Sequence, residues 1–289
     1  MKKPNVFMLG APKCGTTSLA TYLSGHPDVF VSNPKEPAFF EDVDIRGVSS
    51  WDEYKRVFSR ANESHTAVID ASTGYLHSDN AVRQIMEYQP QAKFIVALRN
   101  PVDMCISLHG QAIRGDYAFN EDFAKSWKHS LELNRNKKSL SPKQKYLQNY
   151  IDRCMLGQQC KKLINEVHSD SVHFVIFDEL KKAPRKVYLE TLGFIGVEDD
   201  GRFDFPVENS GFMIKYPFLN KALSLLGKAK RKMGLHSSVG LASKLQRMNS
   251  REGGRVEVED KLKAEMKEIF QNDILELEKI TKKDLGLWR

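Results

Sequence analysis

The sequence has few cysteines and no long apolar run, and both absences narrow the kind of protein that it encodes. Four cysteines occur in 289 residues, and none has the spacing of a metal-binding CxxC pair. Four are few for a disulfide framework, so we expect a reducing, cytoplasmic location. No apolar stretch approaches the roughly 18 residues that a membrane span needs, and the N-terminus leads straight into a predicted strand, so we expect neither a membrane span nor a signal peptide.

The chain also lacks internal repeats and low-complexity tracts, and its composition is that of a globular protein. Apolar residues make up 41% of it and charged residues 28%. A chain of this length can bury a substantial core. Because strand-like and helical segments alternate, we predict a single α/β domain over residues 1–289, with a central parallel sheet flanked by helices.

Hydrophobic periodicity gives the approximate positions of these elements. Apolar runs predict strands near residues 5–11, 29–31, 67–72, 93–99 and 172–178. Helical patterns predict helices near residues 16–25, 52–60, 79–88, 101–114, 121–137, 147–168 and 258–282.

The first predicted strand ends in a loop that has the features of an anion site. Gly10 and Gly15 flank Lys13, and hydroxyl residues open the following helix. The N–H groups of such a loop and the positive end of the helix dipole converge on a phosphate or sulfate. In a Walker A loop the lysine directly follows the last glycine, whereas Lys13 precedes Gly15 by two residues. The loop therefore favours a phosphorylated ligand other than Mg-ATP.

A second group of polar residues follows the strand near 93–99. Arg99 lies at the carboxyl end of that strand, which is the usual ligand edge of an open α/β sheet. Pro101 suits the first turn of a helix, and Ser107 lies about two turns further on its inward face. An arginine fork with a nearby hydroxyl suits a second phosphate.

Together the two motifs resemble those of the sulfotransferases that use 3'-phosphoadenosine 5'-phosphosulfate (PAPS). The segment Pro12–Ser18 is similar to the P-loop-like 5'-phosphosulfate loop of that family, and Leu98–Pro101 with Ser107 is similar to its 3'-phosphate site. The resemblance assigns the binding of the co-substrate, and of its product adenosine 3',5'-bisphosphate, to a set of loop and helix residues. They are Lys13, Cys14, Gly15, Thr16, Thr17, Ser18, Arg99 and Ser107.

Three further stretches resemble the carbohydrate (heparan-type) branch of the family and its bacterial relatives. They are Asn33–Phe40, Asp70–Leu76 and the closing segment Phe270–Trp288. A basic glycine loop near the C-terminus is loosely similar to one that closes over the 3'-phosphate, although a solvated turn explains it equally well. Its residues are Arg251, Gly253, Gly254 and Arg255.

The resemblance also implies how the reaction is catalysed. Glu36 takes the place of the family's general base, and Lys13 holds the 5'-phosphate and the leaving oxygen. The implied acceptor is a carbohydrate or glycolipid whose hydroxyl or amine is sulfated, and no metal is required. Expected substrate contacts are Lys35, Asp70, Ser72 and Tyr75, and alternative bases are His26, His77 and His109.

One departure weakens the similarity to members that modify glycosaminoglycans. Those members usually have a lysine after the acid of the second segment, and this chain has Ala71 after Asp70. This departure argues against a heparan-like acceptor.

Two other functions remain open on the sequence alone. Asp70 and Asp178 each end an apolar run, as the acid of a Walker B strand does, which leaves a P-loop kinase as an alternative. A phosphonucleotide-binding or membrane-surface protein without catalysis is the non-enzyme alternative.

Positive charge is concentrated in a helical segment near residues 215–255. The segment contains ten lysines or arginines and one acid, which gives it a formal net charge of +9. Because the whole chain has a net charge of +7, the rest of the chain has a net charge of −2. This segment suits a groove for an acidic acceptor or peripheral contact with an anionic membrane, while a solvated helix face explains it equally well. We expect no nucleic-acid partner, because aromatic residues are not interleaved with the basic ones.

Overall fold

A parallel sheet of five strands lies at the centre of the computed structural model, which describes residues 2–42, 47–135, 141–206, 212–214, 250–252 and 256–289. The strands are β1 (Val6–Gly10), β2 (Val29–Val31), β3 (Ala67–Asp70), β4 (Lys93–Leu98) and β5 (Val172–Ile176). Their order across the sheet is β2-β3-β1-β4-β5, and each neighbouring pair runs parallel.

Helices connect the strands and cover the sheet. In the first half of the chain they are α1 (Thr16–Ser24), α2 (Trp51–Val57), α3 (Ala81–Tyr88), α4 (Pro101–Gly115) and α5 (Phe123–Arg135). The later ones are α6 (Pro142–Gln148), α7 (Tyr150–Cys154), α8 (Leu156–Glu166), α9 (Phe177–Lys182), α10 (Pro184–Ile195) and α11 (Asp260–Thr281). Two 3₁₀ turns, Ser169–Ser171 and Gly286–Trp288, complete the helical structure of the described residues.

The apolar strands explain why the sheet is interior. Every residue of β1 and β3 is buried, as is all of β4 after its first residue. Strands that are covered on both faces are continuously apolar, which is the pattern from which the sequence predicts them. None of the described helices combines the length and apolar character that crossing a membrane requires.

The predicted α/β architecture is confirmed, and the differences concern element boundaries. The strand predicted to reach residue 178 ends at Ile176, because α9 begins at the next residue. The helix predicted over 147–168 is divided into α7 and α8 at Met155. A residue distant in sequence accompanies the division: Asp273 of α11 accepts the N–H groups of Gly157 at 2.7 Å and Gln158 at 2.9 Å, and thereby caps the start of α8. Helices α6, α9 and α10 are additions to the prediction.

The predicted basic segment near 215–255 lies outside the described residues except for its last strand. That strand, β7 (Ser250–Glu252), pairs antiparallel with β6 (Phe212–Ile214). The predicted C-terminal helix near 258–282 is confirmed as α11.

Candidate active site

The loop between β1 and α1 lies where the order of the strands reverses. β1 has β3 on one side and β4 on the other, so the chain leaves their carboxyl ends in opposite directions and opens a crevice. The Ala11 N–H donates to the Ala97 carbonyl oxygen at 2.8 Å, and the Leu76 N–H donates to the Leu9 carbonyl oxygen at 2.9 Å. Backbone of β4 therefore holds the start of the loop, and the turn that follows β3 holds the end of β1, at the edge where α/β sheets bind ligands.

Gly15 and the first turn of α1 form an uncapped helix start. Gly15 has a φ of 85°, and a Cβ atom there would lie 2.8 Å from Cδ2 of Phe177, so only glycine fits. Thr16 is buried, Thr17 and Ser18 are half-buried, and among the described side chains none caps the helix. Because the first N–H groups of a helix have no intrahelical acceptor, this turn can bind an anion.

Cys14 belongs to the predicted loop but points into the interior. Its side chain is buried, with Sγ 3.8 Å from Sδ of Met104. Its N–H donates to the Ala11 carbonyl oxygen at 3.3 Å. Both donors of Cys14 are thus directed within the protein, and the contact of this residue with the co-substrate stays a prediction.

Lys13 lies in the crevice among other cations. Its backbone is left-handed, with a φ of 68°. Burial and the positive charges of Arg114 and Arg99 lower the pKa of Lys13 to about 8, against the opposing effect of Glu36. Neighbouring cations repel one another, and a bound anion relieves this repulsion. A cluster of cations therefore favours the binding of an anion.

Arg99 directs its guanidinium toward the same loop and has a donor left over. Its Nη1 donates to the Lys13 carbonyl oxygen at 3.1 Å, and its Nη2 lies 3.7 Å from Oδ2 of Asp103. Its Nε is buried, and no acceptor for it exists in the described part of the chain. Ser107 lies on α4, half-buried. An orphaned guanidinium donor fits a phosphate, and the Ser107 hydroxyl on α4 is a second candidate donor.

Phe177 and Arg114 are contributors to this side of the crevice that the sequence analysis does not identify. The ring of Phe177 lies 4.6 Å from Cζ of Arg99 and packs against Gly15. The acids in the first turn of α9 and the lysines in its last turn are the signal for a helix that starts at Phe177. Arg114 follows Ser107 by seven residues, a spacing that places both on one face of α4.

Glu36 lies opposite α1 on the loop that follows β2. The backbone is left-handed at Glu36 and at Ala38, with φ values of 61° and 54°. Oε1 of Glu36 accepts from Oγ1 of Thr73 at 3.2 Å and from Nζ of Lys35 at 3.4 Å. The same Nζ lies 3.3 Å from Oγ1 of Thr17 at the start of α1. Lys35 thus joins the candidate base to the anion-binding turn, and the Glu36 side chain remains 41% exposed to receive a substrate.

Asp70, Ser72 and Tyr75 hold this loop from beneath. Asp70 accepts from Oγ of Ser72 at 2.6 Å, from the Tyr54 hydroxyl at 2.7 Å and from the Tyr75 hydroxyl at 3.0 Å. Ser72 in turn accepts the N–H of Ala38 at 2.9 Å. Burial raises the pKa of Asp70 to about 6, although the three hydroxyl groups oppose the rise. All three predicted substrate contacts are completely buried, so they support the loop and leave Lys35 as the predicted contact that reaches the crevice.

The two acids that suggest a Walker B strand serve other purposes. Asp70 is occupied by the three hydroxyl groups. Asp178 lies within α9 and accepts from Nε1 of Trp288 at 3.0 Å. In the described ranges no cluster of three or more histidine, cysteine or acidic side chains could hold a metal ion, and metal-independent catalysis stays a prediction.

The histidines considered as bases are all engaged with protein groups. His26 is buried, with Nε2 3.0 Å from the Glu198 carbonyl oxygen. His109 is buried and contacts a tyrosine hydroxyl and a backbone carbonyl. His77 is half-buried, with Nε2 3.3 Å from Oδ2 of Asp152. Glu36 is therefore the candidate that best combines exposure with closeness to the anion-binding turn.

The predicted basic glycine loop lies largely beyond the described ranges. Gly253, Gly254 and Arg255 fall outside them. For Arg251 the structure gives the backbone, which pairs with Met213 in the β6–β7 ladder. Their contact with the 3'-phosphate stays a prediction.

Comparison with known proteins identifies the fold and the family. A family model described as a sulfotransferase domain matches residues 3–274. The chain belongs to the sulfotransferase family. The predicted sulfotransferase class is confirmed with it.

Two groups of relatives illustrate this membership. The chain is 28% identical over 190 residues to the bifunctional heparan sulfate N-deacetylase/N-sulfotransferase 1 of Caenorhabditis briggsae, covering 64% of this chain and 21% of that protein. It is 32% identical over 110 residues to the heparan sulfate glucosamine 3-O-sulfotransferase 6 of Mus musculus, and the match covers 38% of this chain and 31% of that protein. The chain thus spans a fifth to a third of the length of these curated relatives.

Solved structures agree on the fold. A sulfotransferase from Alicyclobacillus acidocaldarius superposes with a TM-score of 0.74 at 25% identity, covering 100% of both chains. The mouse sulfotransferase SULT7A1, solved in complex with PAP, superposes with a TM-score of 0.50 at 17% identity, covering 94% of this chain and 84% of that one. The second likeness concerns the fold alone.

Proposed function

We propose that this enzyme transfers a sulfuryl group from PAPS to a hydroxyl or amine of a carbohydrate or glycolipid, with Glu36 as general base. The observation that carries the proposal is the position of Lys35. Its ammonium group contacts Thr17 at the anion-binding turn and Glu36 on the opposite loop, so both lie within reach of one reacting group.

The two phosphates of the co-substrate are assigned to two separate groups of donors. Lys13 and the first-turn N–H groups of α1 hold the 5'-phosphosulfate. Arg99 and Ser107 hold the 3'-phosphate, which supplies the missing acceptor for the buried Nε of Arg99.

The proposed mechanism is an in-line displacement at sulfur. When bound, PAPS supplies an activated sulfuryl group whose bond to the 5'-phosphate breaks as the acceptor oxygen or nitrogen attacks. Glu36 takes the acceptor's proton, and Thr73 and Lys35 orient its carboxylate. Lys13 stabilises the negative charge that develops on the bridging oxygen. Such a transfer depends mostly on positioning and on electrostatic stabilisation.

The proposed carbohydrate acceptor rests on the names of the relatives, which act on heparan sulfate. Ala71, where glycosaminoglycan-modifying members usually have lysine, removes one cation from the acceptor side, and Lys35 supplies one in its place. We further propose a cytoplasmic location, which the four free, buried cysteines support. Fractionation of cells that produce the protein tests that location.

A transfer assay tests the function. The enzyme is incubated with PAPS carrying radiolabelled sulfate and a panel of saccharides and glycolipids in the presence of a chelator, and the Glu36→Gln variant serves as the control. We expect labelled product with the parent and little with the variant. Binding of the bisphosphate without transfer to any acceptor would support the non-catalytic alternative, and ATP binding as tight as bisphosphate binding would support the kinase.

A further inference from the structure

Arg153 is a buried cation beside the candidate base, and its hydrogen-bonding capacity is largely unused. It lies on α7, 6% exposed, with Cζ 4.3 Å from the ring centre of Tyr146 on α6. Its one hydrogen bond to a described residue joins Nη2 to the Tyr146 hydroxyl at 3.5 Å. No carboxylate in the described ranges lies within ion-pair distance of it. Because a guanidinium has five N–H donors and buried charges are normally paired, we expect Arg153 to have a partner beyond the described residues.

A short turn connects the Arg153–Tyr146 pair to Glu36. At one end of the turn Thr73 donates to Glu36 at 3.2 Å, and at the other end the ring of His77 lies 5.3 Å from the ring of Tyr146, edge to face. His77 follows Thr73 by four positions, and the His77 N–H donates to the Gly74 carbonyl oxygen at 3.2 Å within this turn. The turn thus contacts Glu36 at one end and the partner of Arg153 at the other.

Glu41 lies between these groups and balances Arg153 only in part. Its carboxyl group occupies the space into which a side chain at Gly74 would project. Burial and the nearby charge of Glu36 raise the pKa of Glu41 to about 7, although Arg153 acts in the opposite direction. Near neutral pH Glu41 is partly protonated, so the site retains positive charge at Arg153.

We propose that Arg153, stacked on Tyr146, binds an anionic group of the saccharide acceptor, a carboxylate or a sulfate, next to the hydroxyl or amine that Glu36 deprotonates. The proposal rests on the proposed function. It assigns Arg153 a role in the choice of acceptor and none in binding the co-substrate.

Matched sugar probes test this role. We would measure the binding of 4-nitrophenyl β-D-glucuronide, 4-nitrophenyl β-D-glucoside and the 6-sulfate of that glucoside to the enzyme saturated with adenosine 3',5'-bisphosphate. The probes differ only at carbon 6, as carboxylate, alcohol or sulfate. The parent should bind at least one anionic probe about tenfold or more tightly than the glucoside, as loss of a charged hydrogen-bonded partner implies. The tighter anionic probe identifies which of the two groups Arg153 accepts.

Variants of Arg153 and Tyr146 distinguish binding of the anionic probe from a purely structural role of Arg153. Arg153→Gln should abolish the preference, Arg153→Lys should retain part of it, and Tyr146→Phe, which keeps the ring under the guanidinium, should retain most of it. Arg56→Gln removes an exposed charge elsewhere and should leave the preference unchanged. All variants should bind the bisphosphate like the parent.

Two results would overturn the inference: a parent that binds neither anionic probe more tightly than the glucoside, or a preference that survives in Arg153→Gln. Failure of the parent to bind the bisphosphate would instead contradict the proposed function, so the two failures are distinguishable.

Discussion

The phosphate-facing side of the crevice is built mainly from backbone, whereas the loop that carries Glu36 is held by buried side chains. On the first side, strand ends and the start of α1 place the N–H groups, and Gly15 allows Phe177 to approach. On the second side, Asp70 and its hydroxyl partners fix a loop with left-handed backbone at Glu36 and Ala38.

This difference separates binding from chemistry. Changes on the phosphate-facing side should alter the affinity for the bisphosphate, because its donors meet the nucleotide. Changes on the Glu36 side should alter turnover and leave that affinity intact, because that side meets the acceptor. Each variant below tests whether the two sides are independent in this way.

The largest effect is expected for Glu36→Gln. The amide keeps the size of the side chain and can still accept from Thr73 and Lys35, but it cannot take up the acceptor's proton. Turnover should fall roughly 10²- to 10⁴-fold. Calorimetry should give an unchanged bisphosphate affinity. Near-full turnover in this variant, with chemistry rate-limiting, would assign the base elsewhere, and His77 would be the next residue to test.

Arg99→Ala should have the largest effect on the phosphate-facing side. Loss of a buried, charged hydrogen-bonding partner should weaken bisphosphate binding by about 2–3 kcal/mol. Adenosine 5'-monophosphate, which lacks the 3'-phosphate, should bind the variant and the parent alike. An equal loss of affinity for both nucleotides would mean that Arg99 does not bind the 3'-phosphate. Its role would then be to support the loop through its hydrogen bond to the Lys13 carbonyl oxygen.

Asp70→Ala tests the support of the Glu36 loop. Three buried hydroxyl groups lose their acceptor, so the free energy of unfolding should fall by about 1–3 kcal/mol, as measured by denaturant titration. Turnover should fall as Glu36 loses its position, while bisphosphate affinity holds. Asp170→Ala, at an acid whose side chain is 87% exposed, is the control and should change neither quantity. A bisphosphate affinity that falls together with turnover would show that the two sides are coupled.

The lowered pKa of Lys13, about 8, predicts a pH dependence. The ammonium form is the one that holds phosphate, and it is lost as pH rises through about 8. Bisphosphate affinity should therefore fall roughly fivefold between pH 8 and pH 9. In Lys13→Arg this decline should vanish, because a guanidinium stays charged in this range. A decline of the same size in the arginine variant would assign the titration to another group.

The smallest effect is expected for Phe177→Leu. Leucine keeps apolar contact with Gly15 but removes the aromatic ring beneath the Arg99 guanidinium. The preference for the bisphosphate over adenosine 5'-monophosphate should shrink about two- to fivefold, as the loss of a cation–π contact implies. In an Arg99→Ala background the same change should add nothing. Phe119→Leu, at a ring that is 52% exposed, is the control.

The same contrast explains what could be predicted from the sequence. The strand–loop–helix around Lys13 and the strand end at Arg99 are local, because the residues that form them are neighbours in the chain, and their positions are confirmed. The support of the Glu36 loop is not local: Tyr54 reaches Asp70 across 16 residues, and nothing in the spacing of hydroxyl residues indicates that they point inward.

Two features that the sequence does not show have the same origin. The sequence indicates that Asp70, Ser72 and Tyr75 lie near the Glu36 loop. It does not indicate that their side chains are buried beneath that loop. Likewise, the division between α7 and α8 depends on Asp273, which is 116 residues away from Gly157. Distant capping of this kind leaves no periodic pattern.

The measurement that tests the central claim most directly is a crystal structure of the enzyme with adenosine 3',5'-bisphosphate. We predict the 5'-phosphate within hydrogen-bond distance of Nζ of Lys13 and of the first-turn N–H groups of α1. We predict the 3'-phosphate on Arg99 and Ser107, with Glu36 facing the open side of the 5'-phosphate. A nucleotide bound elsewhere, or one whose 3'-phosphate makes no contact with Arg99, would contradict the account.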